Sequence, residues 1–96
     1  MKNLRDLIPG MSGVNLSVEV VQVSDSKEVV SRGVKREILE LKVKDETGTI
    51  TLVLWDDRII EDLEAGETLH IKNSFISSFR GDRRVNVGEY ADVERA

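Results

Sequence analysis

Gly48-Thr-Ile-Thr-Leu-Val-Leu-Trp55 alternates with period two: Ile50, Leu52 and Leu54 fall on one side, Thr49, Thr51, Val53 and Trp55 on the other. That is the pattern of a strand with one buried face, entered through the turn residues Asp45-Glu-Thr-Gly48. The chain's single tryptophan stands opposite the aliphatic row, at the strand's end. An aromatic there either packs beneath another element or stays exposed to grip something flat.

Immediately upstream, Arg36 to Lys44 repeats the alternation, with Leu39, Leu41 and Val43 inward and Glu40, Lys42 and Lys44 outward, so the two strands form a tight hairpin. Ser24 to Lys35, with Asp25, Ser26, Ser31 and Gly33 among scattered charges, reads as a long loop. Before it, a first strand runs from Gly13 to about Val23, with Val14, Leu16, Val18 and Val20 on one face. Residues 3–10 predict a short helical turn capped by Asn3 and ended by Pro9-Gly10. Its apolar patch, Leu4, Leu7 and Ile8, would plug one end of the sheet.

After Trp55 the period changes. Ile59, Ile60 and Leu63 recur at helical spacing behind Asp56 and Asp57, and Gly66 supplies a stop, which predicts a two-turn amphipathic helix over about Asp57 to Glu64. A fourth strand, Glu67 to Phe79, has Leu69 and Ile71 inward; Arg80-Gly81-Asp82-Arg83 turns; a fifth, Arg84 to Val93, has Val85 and Val87 inward. Simple alternation from Leu69 and Ile71 would bury Phe75. An outward Phe75 would require a bulge near Asn73-Ser74. Five short antiparallel strands with a helix between the third and fourth predict an all-β fold: a closed five-stranded barrel of the OB type, one domain over residues 1–96. The runner-up, an SH3-like barrel, usually lacks a helix at that position.

Ninety-six residues suffice for one modest core, and a charged fraction of 33% leaves no room for a membrane span. No cysteine and a single histidine, His70, exclude a structural zinc site or a disulfide framework and fit a reducing, cytoplasmic setting. The net charge of −4 argues mildly against tight non-specific nucleic-acid binding, yet the bases are clustered in Lys27 to Lys44 and at Arg80, Arg83 and Arg84. His70 has no evident catalytic partner, and no phosphate-cradling glycine loop follows a strand. The chain therefore reads as non-enzymatic, without a cofactor.

Asp45-Glu-Thr-Gly-Thr-Ile-Thr-Leu-Val-Leu-Trp55, Ile71-Lys-Asn-Ser-Phe75, Phe79-Arg-Gly81 and Val85-Asn-Val-Gly88 resemble the OB-fold domains of archaeal replication protein A and archaeal single-stranded-DNA-binding proteins. Leu7-Ile-Pro-Gly-Met11 and Val14-Asn15 fit the same pattern, so the resemblance runs from about Leu4 to Val93. It implies aromatics that stack on successive bases, which fall on Trp55, Phe75 and Phe79. It also implies phosphate contacts from Lys27, Arg32, Lys35 and Arg36 in one loop and Arg80, Arg83 and Arg84 around another. The implied partner is single-stranded DNA in replication, recombination or repair, with RNA as a variant of the same chemistry. Other replication or repair proteins are further implied partners; a membrane or small-molecule substrate is not. Family members often carry a Gly-rich tail or several OB domains, so a single domain here reads as an excised domain or a short paralogue. The alternative function is a protein-interaction OB domain, whose groove or acidic helix docks a partner. Asn86, outward when Val85 and Val87 are inward, is placed to meet a base edge. Tyr90 reads as a packed residue with a wet hydroxyl, and His70 as an exposed strand residue.

Overall fold

The computed structural model describes residues 2–96. Its strands are β1 (Val14–Val23), β2 (Lys27–Ser31), β3 (Val34–Asp45), β4 (Gly48–Trp55), β5 (Thr68–Phe79), β6 (Asp82–Val87) and β7 (Asp92–Arg95). Five of them close on themselves in the order β1, β3, β4, β6, β5 and back to β1. All these pairings are antiparallel except β4 with β6, which is parallel. This is the expected closed OB barrel.

The rows predicted to face inward form the core. Leu16, Val18 and Val20 of β1, Leu41 and Val43 of β3, Leu52 and Leu54 of β4, Leu69 and Ile71 of β5, and Val85 and Val87 of β6 are all buried in one cluster. Full burial of each such side chain contributes about 1.5–3 kcal/mol. Closure needs β1 to serve two neighbours: Val14 to Glu19 pair with β5, Glu19 to Val23 with β3. An extra residue between Val20 and Gln22 bends the strand across that corner.

The second irregularity lies in β5. Val14 pairs with Ser74 but Leu16 with Ile71, so β5 carries one residue more than its partner. Asn73 takes it up in a left-handed conformation, φ 61°. Three side-chain hydrogen bonds fix the bulge: the Asn73 N–H donates to Asn15 Oδ1 (3.0 Å), Asn73 Nδ2 to the Tyr90 carbonyl (2.6 Å), and Ser74 Oγ to the Val14 carbonyl (2.9 Å). Beyond it Ile76 is buried and Phe75 is exposed. The bend expected at Asn73-Ser74 is there.

Four expectations need correction. The loop from Ser24 to Lys35 contains β2, which pairs with β3 through a two-residue turn at Arg32 and Gly33, both left-handed (φ 52° and 78°). The short helix after β4 is one 3-10 turn, Asp56–Arg58, not two α-helical turns. Left-handed Asp56 and Asp62 (φ 48° and 60°) and extended Ile59 interrupt the run, while Ile59, Ile60 and Leu63 still pack on the core. The fifth strand breaks after Val87, and β7 is a separate strand on the edge of β5. At the N-terminus, Leu4–Asp6 is a 3-10 turn that Asn3 caps without a side-chain bond; Leu4 and Leu7 plug the barrel, and Ile8 is exposed.

The plug is pinned from three sides. The Leu4 N–H donates to Asp45 Oδ2 (2.9 Å) and the Arg5 N–H to Thr47 Oγ1 (3.2 Å), while Arg83 Nη1 donates to the carbonyls of Leu4 (2.9 Å) and Leu7 (2.7 Å). Asp45 also accepts from the Thr47 N–H and hydroxyl and the Gly48 N–H, closing the turn between β3 and β4. Burial raises the Asp45 carboxyl pKa, but the bonds from Thr47, Leu4 and Gly48 outweigh it and hold the group below its ordinary value.

Candidate nucleic-acid interface

The outer face of β3, β4, β6 and β5 carries the side chains whose parity opposes the core. Across it run Arg36, Ile38 and Glu40 of β3, Val53 and Trp55 of β4, Arg84 and Asn86 of β6, and Phe75, Ser77 and Phe79 of β5. Ile38 and Val53 are buried yet lie outside the core cluster, so they form an apolar floor under this face.

Trp55 is half-buried, and Phe75 and Phe79 are 49% and 52% exposed. The three rings thus share one face, as their expected role requires. A guanidinium lies over two of them: Arg36 at 5.8 Å from the Trp55 ring centre, and Arg80 and Arg84 at 5.2 and 4.9 Å from that of Phe79. Arg80 and Gly81 form the two-residue left-handed turn joining β5 to β6, which sets Arg80 beside Phe79.

Asn86 is outward as parity requires, but it is only 4% exposed. Its Oδ1 accepts from Trp55 Nε1 (3.2 Å), and its Nδ2 donates to Ser77 Oγ (2.8 Å) and the Phe75 carbonyl (3.4 Å). Its polar atoms are thus engaged within the protein. Asn86 ties the Trp55 ring to the backbone and side chains of β5 rather than presenting a free edge.

The cations divide. Arg32 and Arg36 line a cleft of about 590 Å³ together with Trp55, Phe75 and Asn86, at the end of the face where the β2–β3 ribbon rises. Lys35 alternates to the other side of that ribbon, away from Val34 and Arg36. Arg36 pairs with Asp56 (3.1 Å). Arg84 pairs with Glu40, which also holds Lys27 Nζ (2.7 Å); the Lys27 hydrogen bond, aided by Arg84, depresses the Glu40 pKa. Arg83 departs from the expected phosphate cluster. It has the parity of Val85 and Val87, and its guanidinium bonds to the N-terminal plug.

Two residues of the cleft escaped the sequence reading. Tyr90, expected to pack, is 83% exposed and lines the cleft. Arg58, within an acidic run, also lines it and bonds to the carbonyls of Ala91 and Glu89. Their signal was weak because Tyr90 follows the last inward valine and Arg58 was assigned to a helix. Among the described residues no group of three or more His, Cys, Asp or Glu is arranged to hold a metal, and no helix is long and apolar enough to cross a membrane.

The chain is 30% identical over 91 residues to the single-stranded DNA binding protein Ssb of Saccharolobus solfataricus; the match covers 95% of this chain and 61% of that protein, so the chain spans about three-fifths of its relative. The fold is similar to the replication factor A related protein of Methanobacterium thermoautotrophicum, with TM-score 0.81, 20% identity, and coverage of 100% of this chain and 90% of that one. It is also similar to the second OB-fold domain of replication protein A from Methanococcus maripaludis, with TM-score 0.80, 22% identity, and coverage of 98% and 92%. Residues 7–95 match the family described as single-stranded DNA binding protein Ssb-like, OB fold, and the chain belongs to that family.

Proposed function

We propose that the chain binds single-stranded DNA without catalysing a reaction, through base stacking on Trp55, Phe75 and Phe79 and phosphate contacts from Arg32, Arg36, Arg80 and Arg84. The observation that carries this is the set of three aromatic rings left partly bare on one barrel face, with guanidiniums over two of them. A planar ring gains about 1–3 kcal/mol per stacked base whatever the sequence. Three rings give roughly 3–9 kcal/mol before ordering costs, which suits micromolar binding by one domain. RNA presents the same base faces. Lys35, turned from the cleft, and Arg83, bonded to the plug, support binding only indirectly. The process served, on this reading, is replication, recombination or repair.

Titration with oligothymidylate at low salt, followed by Trp55 fluorescence, tests the proposal. Quenching with saturation is the expected result; a folded protein whose emission no oligonucleotide changes would falsify it. Trp55→Ala should weaken binding by about 1–3 kcal/mol. It should cost only about 1 kcal/mol of stability, through the acceptor left on Asn86. A mutant that unfolds instead makes Trp55 a packing residue.

A second reading, a site for a protein partner, is favoured by Val30, 70% exposed on the side of the ribbon it shares with Lys35, turned from the cleft. Affinity for DNA that ignores Val30→Ser, alongside loss of a replication or repair partner, would separate the two.

A further inference from the structure

We infer that Tyr90 is a fourth stacking platform, which receives a base at the end of the bound strand next to Trp55 and Phe75. This rests on the single-strand reading of the same face.

Tyr90 is the most exposed large apolar side chain among the described residues, and it lines the cleft that Trp55 and Phe75 share. Its backbone is held firmly. Asn73 Nδ2 donates to the Tyr90 carbonyl (2.6 Å), while Arg58 donates to its neighbours, Nε to the Ala91 carbonyl (2.6 Å) and Nη2 to the Glu89 carbonyl (3.0 Å). Ala91 itself is buried, and its N–H closes a turn on the Gly88 carbonyl (3.1 Å). A bare aromatic on a fixed backbone has little to lose on binding, since only two side-chain torsions remain to be ordered.

Asn73 links this ring to the rest of the site. The residue that makes the β5 bulge, and so turns Phe75 outward, is the one whose side chain holds Tyr90. Charge decides what the cleft accepts. Its lining holds three bases, Arg32, Arg36 and Arg58, against three acids, Asp56, Asp57 and Glu89. With its charges balanced, the cleft can seat a neutral, flat base on Tyr90 while Arg32 and Arg36 meet the phosphates beside it.

The test is a length series of oligothymidylates, from about three to about eight nucleotides, on wild type, Tyr90→Ala and Tyr90→Phe, read by Trp55 fluorescence. In the wild type, affinity rises with length until every platform is filled. Tyr90→Ala should lose the last increment, about 5- to 150-fold on the longer strands, and leave the shortest unchanged. Tyr90→Phe should keep it. An abasic residue at one end of the longer strand should weaken wild-type binding and cost nothing further in Tyr90→Ala, the signature of a direct pair. Wild-type affinity of Tyr90→Ala at every length, with Trp55 still quenched, overturns the inference and leaves single-strand binding standing. An equal loss at every length assigns Tyr90 to loop structure and also overturns it. If no strand quenches the wild type, the single-strand reading fails first.

Discussion

At the end of the barrel closed by Leu4 and Leu7, Arg83 and Asp45 bond to backbone; on the groove face Glu40, Arg36 and Arg84 bond to other side chains, and the two arginines lie over rings. Arg83 and Arg84, adjacent in β6, make the contrast. Arg83 donates to two carbonyls of the plug, and Asp45 opposite accepts from Leu4 and from its own turn. Arg84 lies over Phe79 and pairs with Glu40. Bonds to backbone lock one structure, whereas ion pairs between side chains can be exchanged for pairs with a ligand. Parity alone separates the two arginines.

The largest effect expected from breaking this contrast is at Arg83. Arg83→Ala strips a charged donor from two plug carbonyls and should cost about 1.5–3 kcal/mol, seen as a lower urea midpoint. The folded fraction should bind oligonucleotide as before. A loss of affinity with unchanged stability would return Arg83 to the phosphate contacts. Glu40→Gln should act on the other side of the comparison. Releasing Lys27 and Arg84 should tighten binding and steepen the slope of log affinity on log salt by about 0.7 for each cation that then meets a phosphate. A weaker complex would mean that Glu40 is needed to hold Arg84 over Phe79.

The smallest effect is expected in acid. Glu40 and Asp45 both titrate below their ordinary values of 4.5 and 3.8. A carboxyl lowered on folding binds fewer protons in the native state than in the unfolded one. Its stabilisation is therefore complete above the ordinary value and is lost as pH falls through the folded one. Urea midpoints should drop below about pH 4.5, and Glu40→Gln should flatten the first part of that fall. An unchanged acid limb in Glu40→Gln would remove that residue from the account.

Most of the barrel was legible because inward rows of β1, β3, β4 and β5 alternate without a break as far as Ile71. The bulge was legible too, from the conflict between that alternation and an exposed Phe75. What escaped depended on contacts distant in sequence. β2 carries adjacent valines with no clean period, and only its pairing with β3 makes it a strand. The run after Trp55 has helical spacing, but its isoleucines and leucine reach the core from an irregular backbone. Among site residues, the three rings could be read from parity and resemblance. The burial of Asn86 could not, because it needs Trp55 and Ser77 from other strands, nor the exposure of Tyr90, which depends on Asn73 and Arg58 holding its loop.

The bulge at Asn73 makes the binding face a matter of counting. Every residue after it in β5 is read one step out of phase with those before it, so one extra residue decides whether Ile76 or the pair Phe75 and Phe79 points to solvent. Plain alternation with every residue kept would drive both rings toward the core and Ile76 outward, whereas deleting Asn73 removes the extra residue and should leave Ser74 and Ile76 inward and both rings outward. On the proposed reading, recognition is encoded by the parity of a strand as well as by the aromatic side chains it bears.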